Sequence, residues 1–349
     1  MITPTKEHKI LFQLLKGEFV GLPEGTDADL LLMLFQRHRL LPLSEEVRER
    51  LPEQQRKAWK SVVQRKTMRS LQLSAETIEL IRVLKEAGIR AVPLKGPVLA
   101  VSLYEDVGSR HFNDVDILID RADLERARAV LLKHNYDQSY PKPLNRRQEK
   151  IYTTYKKDIG LLNREKGIFL ELHYGIYVHE LLRRGNERAI LNSTEKIEIH
   201  NETVEVLDRE TTFMYLVYHG CLHQYFRLFW LRDVAECLKR WDLDHQGILE
   251  RMTELGLGRM LGTSLLLVEH YFPVQVPEKY RELIAENRAV KRLVEIAHDR
   301  IVGTETGTLR MKLLRHEFLF RLKPGLRYKR AVLWSIFQRW RIRLFMGGH

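Results

Sequence analysis

"GSRHFNDVDILID", residues 108–120, decides how this chain is read. A glycine–serine turn and an arginine lead into an apolar run that holds Asp114 and Asp116. Side chains on a strand alternate between faces, so both aspartates project one way while Val115, Ile117 and Ile119 fill the other face. Two neighbouring carboxylates repel and raise each other's pKa. A divalent cation relieves this, and Mg²⁺ favours a few carboxylates combined with phosphate oxygens. A bare Asp-x-Asp more often marks an exposed strand face with two solvated acids, so the surrounding sequence has to decide.

Three neighbours favour the metal. "FLELHY" sets Glu171 in an apolar strand, with Phe169 and His173 on its face and Leu170 and Leu172 on the other. An acid in such a strand is disfavoured by burial and needs a partner. "VPLKG" ends at Gly96 and leads directly into a helix start, where backbone N–H groups and the helix dipole favour phosphate; Lys95 adds a cation there. Finally, Gly108, Ser109 and Arg110 place a turn and a guanidinium just before the acids. Together these describe a phosphate and metal site assembled from adjacent strands.

The flanking sequence has a different period. "DADLLLMLFQRHRLL" and "TMRSLQLSAETIELIRVLKEAG" repeat apolar residues at three and four spacings, the mark of helices with one buried face. Gly88 ends the second, and Pro97 opens the next helix at its first position. A helix is expected in "RADLERARAVLLKHN", a polar loop in "YPKPLNRRQEK" and a hairpin in "EKIEIHNETVEVL"; helical periodicity resumes near residue 208. The expected fold class is α+β: a small mixed-sheet module over residues 83–207, between an N-terminal helical region, 1–82, and a C-terminal helical domain with a basic tail, 208–349.

Strand, glycine turn, helix, Asp-x-Asp on the next strand and a third carboxylate on a later one resembles the nucleotidyltransferase superfamily related to DNA polymerase β. "LKGPVLAVSLYEDVGSRHFNDVDILI", "LELHYGIY" and "HGCLHQYFRLFWLRDVAECLKRWDLD" are similar to the family of uncharacterised nucleotidyltransferases, most strongly over residues 85–275. The resemblance implies two-metal transfer of a nucleoside monophosphate, AMP from ATP being expected, to an unidentified acceptor: a small molecule, peptide, protein or RNA. Asp114 and Asp116 would hold the Mg²⁺ (or Mn²⁺) that grips the triphosphate, and Glu171 would help hold a second ion and deprotonate the attacking group. Lys95 and Gly96 would line the phosphates, and Arg110 would neutralise charge on the transition state or on pyrophosphate. The superfamily's turn is usually glycine followed by glycine or serine. Here Pro97 follows Gly96 and donates no N–H, so phosphate contact there must differ; Ser109 is the residue available to replace the missing serine. A toxin-like enzyme that modifies tRNA or protein and a non-catalytic nucleotide-binding scaffold remain as alternatives.

"YHGCLHQYFRLFWLRDVAECL" adds a second constellation. His219 and His223 stand four apart, with Arg227 expected on the same helix face. These three and Asp233 are expected to face the cleft and touch the base or the acceptor, with His173 as a further nucleotide-binding candidate. Packing histidines and a surface Arg232–Asp233 pair are the bland alternatives. The tail "RYKRAVLWSIFQRWRIRLF" puts Val332, Leu333, Ile336, Phe337 and Trp340 on a helical stripe among arginines, so residues 329–345 suit peripheral contact with an anionic membrane, guidance of an RNA or acidic acceptor, or docking of the stripe on the body.

Composition bounds these readings. The chain has 349 residues, 44% hydrophobic and 30% charged, an ordinary globular balance that suggests two or three domains. No apolar run is long enough to span a membrane, and the N-terminus has no basic-then-apolar signal organisation. Only Cys221 and Cys237 occur, which argues against a disulfide framework or a cysteine zinc site and favours a reducing cytoplasm. The net charge of +12 favours anionic partners.

Overall fold

The computed structural model describes residues 2–142, 144–176, 187–285, 287–303 and 308–345. It has an α+β fold built on a five-stranded mixed sheet. The strands are β1 (Ala91–Pro93), β2 (Val115–Ile119), β3 (Asp137–Tyr140), β4 (Asp158–Asn163) and β5 (Ile168–His173), in spatial order β1-β2-β5-β4-β3. The β2–β5 pair is parallel and the others are antiparallel. A separate hairpin, β6 (Thr194–Ile199) and β7 (Glu202–Leu207), follows.

The two faces of the sheet differ as strand alternation requires. Val115, Ile117, Ile119, Leu170 and Leu172 point into an apolar core with Leu73, Leu80 and Leu84 of the long helix Glu53–Glu86 and with Leu131 of the helix Leu124–Lys133. Burying each such side chain stabilises by about 1.5–3 kcal/mol. On the opposite face Val92, Leu94 and Leu118 pack with Leu207 and with Tyr215 of the helix Arg209–Leu222. The polar residues singled out in β2 and β5 lie on that second face.

Gly88, with φ +69°, stops the long helix: its N–H donates to the Lys85 carbonyl, and the Ile89 N–H donates to the Leu84 carbonyl. The helix runs through residue 82 and reaches the sheet. The helical core draws on both ends of the chain, joining Leu31, Leu34, Phe35 and Trp59 to Phe213, Leu231, Leu261, Ile296 and Phe318.

Several segments depart from expectation, the short strand β3 among them. The loop expected over residues 140–150 is helical from Arg146, because Asn145 and Gln148 form a reciprocal capping box at the start of the helix Arg146–Tyr155. Strand β4 was not anticipated; its partners β3 and β5 supply the ladder that a short, glycine-containing run does not announce. The expected C-terminal stripe divides. Tyr328 and Val332 are buried against the body, whereas Leu333, Trp334 and Phe337 face outward. The side chains of Ile336, Arg339, Trp340, Arg341 and Arg343 lie outside the described residues. Both cysteines are buried free thiols, and among the described residues no helix is long and apolar enough to cross a membrane.

Candidate active site

The parallel ladder between β2 and β5 positions the site. Asp116 is in register with Glu171, and Leu118 with His173, so Asp116, Glu171 and His173 share one face of adjacent strands. One ligand atom from each of these three lies within 4.8 Å of the others, an arrangement able to hold a divalent ion. His173 Nε2 is 3.1 Å from Asp116 Oδ1 and 3.3 Å from Glu171 Oε2. Asp114 stands one residue ahead of the β2 ladder, half-buried and outside this set of three. Burial and the Asp116 charge raise its pKa, while Lys95 and Arg39 oppose the rise.

Lys95 reaches the same carboxylate from the turn after β1, with Nζ 2.9 Å from Asp116 Oδ1. The Leu94 N–H donates to the Asp116 carbonyl, 3.0 Å away, which ties this turn to β2. Gly96 has φ +62° and ψ −121°, a conformation that disfavours a Cβ, and one built there would lie 3.4 Å from the Phe112 ring. Pro97 then opens the helix Pro97–Tyr104 as expected. Burial alone would raise the Asp116 pKa, but the Lys95 ammonium and the His173 hydrogen bond outweigh it and hold the carboxyl well below the usual range. The same pairing raises the Lys95 pKa against the effect of burial. Lys95 therefore supplies the positive charge that balances the buried Asp116 carboxylate.

The histidine is set from behind. Lys157 Nζ lies 3.1 Å from His173 Nδ1 and 2.5 Å from Asp158 Oδ2, and Asp158 Oδ2 lies 3.8 Å from Nδ1. An ammonium only donates, so Nδ1 accepts from Lys157 and Nε2 carries the proton given to Asp116. For Nε2 to bind a metal the proton must leave it; Asp158, 3.8 Å from Nδ1, lies beyond hydrogen-bond distance and acts on the ring through its charge and through Lys157. Neither residue was among the expected site residues, because β4 itself was not anticipated. The available signal was a Lys-Asp pair immediately before an apolar run.

Arg110 and Asp233 find each other. Arg110 donates from Nε to Asp233 Oδ1, 3.0 Å, and from Nη2 to Oδ2, 2.9 Å, and the Tyr104 hydroxyl donates to Oδ1 at 2.9 Å. The two side chains are 4% and 1% exposed, so this is a buried bidentate pair joining the loop before β2 to the helix Leu228–Arg240. Asp233 pairs with Arg110 instead of with Arg232, which lies over the Tyr104 ring at 4.2 Å and donates to the Ser109 carbonyl. The Ser109 hydroxyl donates to Asp106.

His219 and His223 are adjacent, with ring centroids 4.6 Å apart, and His223 stacks on Trp230 at 4.9 Å. Among the described residues no third metal-ligating side chain joins them. Burial, then the Lys95 charge, keeps His219 neutral far below its usual pKa. Desolvation by the surrounding protein, then Lys95 and Lys157, lowers the His223 pKa to about 4, although the residue is exposed and solvent offsets part of that shift. Arg227 does not continue their helix. That helix ends at Leu222; Gln224 and Tyr225 turn the chain at φ +55° and +48°, and Arg227 caps the following helix. The turn carries Arg227 onto Phe226, 4.9 Å from its ring, and within reach of the Asp114 charge.

A mixed sheet that presents acids from neighbouring strands, beside a glycine turn that opens a helix, defines a nucleotidyltransferase module. The chain belongs to the uncharacterised nucleotidyltransferase family, whose model matches residues 24–273. A search of curated proteins returns no match. Among solved structures, an antigenic nucleotidyltransferase-like protein from Paracoccidioides brasiliensis is similar at 16% identity, over 52% of this chain and 88% of that one, with a TM-score of 0.32.

Proposed function

We propose that this protein is a Mg²⁺-dependent nucleotidyltransferase that moves a nucleoside monophosphate, AMP from ATP, to an acceptor. One observation carries this: Asp116, Glu171 and His173 converge within 4.8 Å beside the Lys95–Gly96 turn. Two acids and an imidazole suit Mg²⁺ or Mn²⁺, the imidazole leaning toward Mn²⁺. Asp116, Glu171 and His173 would hold one ion, with Asp114 completing a second set alongside Asp116 and the nucleotide's own oxygens. Bound divalent ions would neutralise phosphate charge and stabilise attacking and leaving oxygens in an in-line displacement.

The chain's own residues supply the rest. Lys95 leaves the Asp116 carboxylate for the phosphates once other positive charge takes its place. Glu171, the more exposed acid, receives the acceptor's proton. His219 and His223, both neutral at ordinary pH, offer hydrogen bonds to the base or the acceptor without adding charge. Arg110 is a positioning residue, because Asp233 already occupies its donors. The outward-facing Leu333, Trp334 and Phe337, among the exposed Arg327, Lys329 and Arg330, suit peripheral contact with an anionic membrane.

The test is labelled-nucleotide transfer from an NTP panel to cell extract with Mg²⁺ or Mn²⁺, comparing wild type with Asp116→Asn. Loss of metal-dependent transfer in the variant, with its unfolding transition retained, is expected. Equal transfer by both would remove Asp116 from the chemistry. No NTP binding by wild type would defeat the proposal, and label in tRNA would favour an RNA-modifying enzyme.

A further inference from the structure

A second charged feature lies on the Asp114 side of the site. A pocket of about 260 Å³ opens between the end of the helix Ala28–Arg37, the segment before β2 and the start of the helix Leu228–Arg240. Arg37, Arg39, Lys66, Arg227 and Arg300 line it, and no lining residue is acidic. Five cations on one small concavity, without a carboxylate among its walls, is an arrangement that water and chain folding alone do not favour.

The guanidiniums are held in place, and two of them are left short of partners. Arg227 and Arg300 lie 4.9 and 5.9 Å from the Phe226 ring, and Arg39 lies 5.0 Å from that of Phe229. Arg37 donates from Nη2 to the Arg300 carbonyl at 2.8 Å. Yet Arg37 Nη1 and Arg300 Nε are buried with no hydrogen-bond partner among the described residues. A buried N–H left unsatisfied is costly, and one that belongs to a cation is costlier still. The strain also registers in the charges. Burial and the neighbouring arginines lower the pKa of Arg37, and burial and Arg227 lower that of Arg39 to about 10.

We infer that this pocket is a phosphate-binding subsite, distinct from the metal-capable group, that receives either a phosphorylated acceptor or the polyphosphate tail of the nucleotide. Planar guanidinium forks match phosphate oxygens bidentately, which favours phosphate over a simple carboxylate. The volume is at the small end for ligand sites, so the pocket suits a phosphate and the fragment that bears it rather than a whole nucleotide. Arg39 and Arg227 are the pocket cations that act on Asp114, on which Lys95 acts as well. A phosphate held there lies near Asp114, whose chain neighbour Asn113 lines the pocket. Its role as acceptor or nucleotide tail rests on the proposed nucleotidyl transfer; the capacity to bind phosphate does not.

The experiment follows the unfolding transition of the full chain in EDTA, with inorganic phosphate or pyrophosphate against chloride at equal ionic strength. Wild type is expected to be stabilised by both anions, pyrophosphate more. Arg300→Gln and Arg37→Gln should weaken that binding about tenfold or more. In phosphate-free buffer each variant should melt at or above the wild-type temperature, since a repelled charge has gone; a merely structural arginine would give a lower value. Asp116→Asn should still be stabilised by phosphate, at least as strongly as wild type because a nearby negative charge has gone, even where nucleotide transfer is lost, which separates this subsite from the catalytic proposal. An ATP analogue with Mg²⁺ that excludes phosphate assigns the subsite to the nucleotide tail, and simultaneous binding assigns it to the acceptor. No phosphate-specific stabilisation of wild type, or an undiminished response in both arginine variants, would overturn the inference.

Discussion

Replacing Lys95 with methionine tests the electrostatics at the centre of the site. The ammonium lies 2.9 Å from Asp116 Oδ1, and the side chains are 12% and 2% exposed, so solvent does little to replace the lost charge. Removing one partner of a buried ion pair costs about 3–5 kcal/mol, because the remaining charge stays buried and uncompensated. His173 continues to donate to Asp116 and places the expected loss toward the lower figure. A divalent ion at the same carboxylate should reverse the effect. At a concentration about a hundredfold above its Kd, a ligand that binds only the folded state stabilises by about 2.7 kcal/mol, close to the whole deficit. Mn²⁺ should therefore raise the unfolding free energy of Lys95→Met by more than that of wild type, in which the ion must compete with the ammonium. Chemical denaturation of both proteins in EDTA and in Mn²⁺ gives the four values required. A variant as stable as wild type in EDTA, or one that gains no more from Mn²⁺ than wild type does, would refute the idea that Lys95 stands in for a cation.

Other expectations concern the surroundings of the site. Asp233→Leu should destabilise by about 3–5 kcal/mol by stranding Arg110, and the double variant Arg110→Met/Asp233→Leu should recover most of that in denaturant titrations. If the double variant is as unstable as the single one, the buried pair does not carry the coupling. Burial, then Lys66, pushes the His111 imidazole down from 6.5 to about 4. The unfolded chain then takes up a proton below 6.5 that the folded chain refuses until about 4, so stability falls as the pH drops through that window. At about pH 5 this one group removes roughly 2 kcal/mol. His111→Gln should flatten the pH dependence of the melting temperature between about pH 7 and pH 5, and an unchanged slope would exclude His111 as a contributor.

How much of this was legible in sequence depended on whether the information was local. Strand alternation placed Asp116 on one face of its strand, and set Glu171 and His173 together on a face of theirs, because a side-chain period of two is a property of the chain itself. Gly88, Gly96 and Pro97 announced their turns for the same reason: each states a backbone conformation without reference to anything distant. The resemblance to nucleotidyltransferases was equally readable, since its motifs are ordered along the chain. Strand β4 was not, because β3 and β5 justify it, and Lys157 and Asp158 were lost with it. Nor was the partnership of Arg110 with Asp233, 123 residues apart, or the turn at Gln224–Tyr225 that breaks the helix between the two histidines and Arg227. The cationic pocket gathers Arg37, Lys66, Arg227 and Arg300 from four distant segments, and no periodicity connects them. The sequence by itself determined which residues share a strand face and where the backbone must turn. Register between strands and the packing of helices onto the sheet decided which charges meet, because Coulomb forces and hydrogen bonds act across space and take no account of separation along the chain.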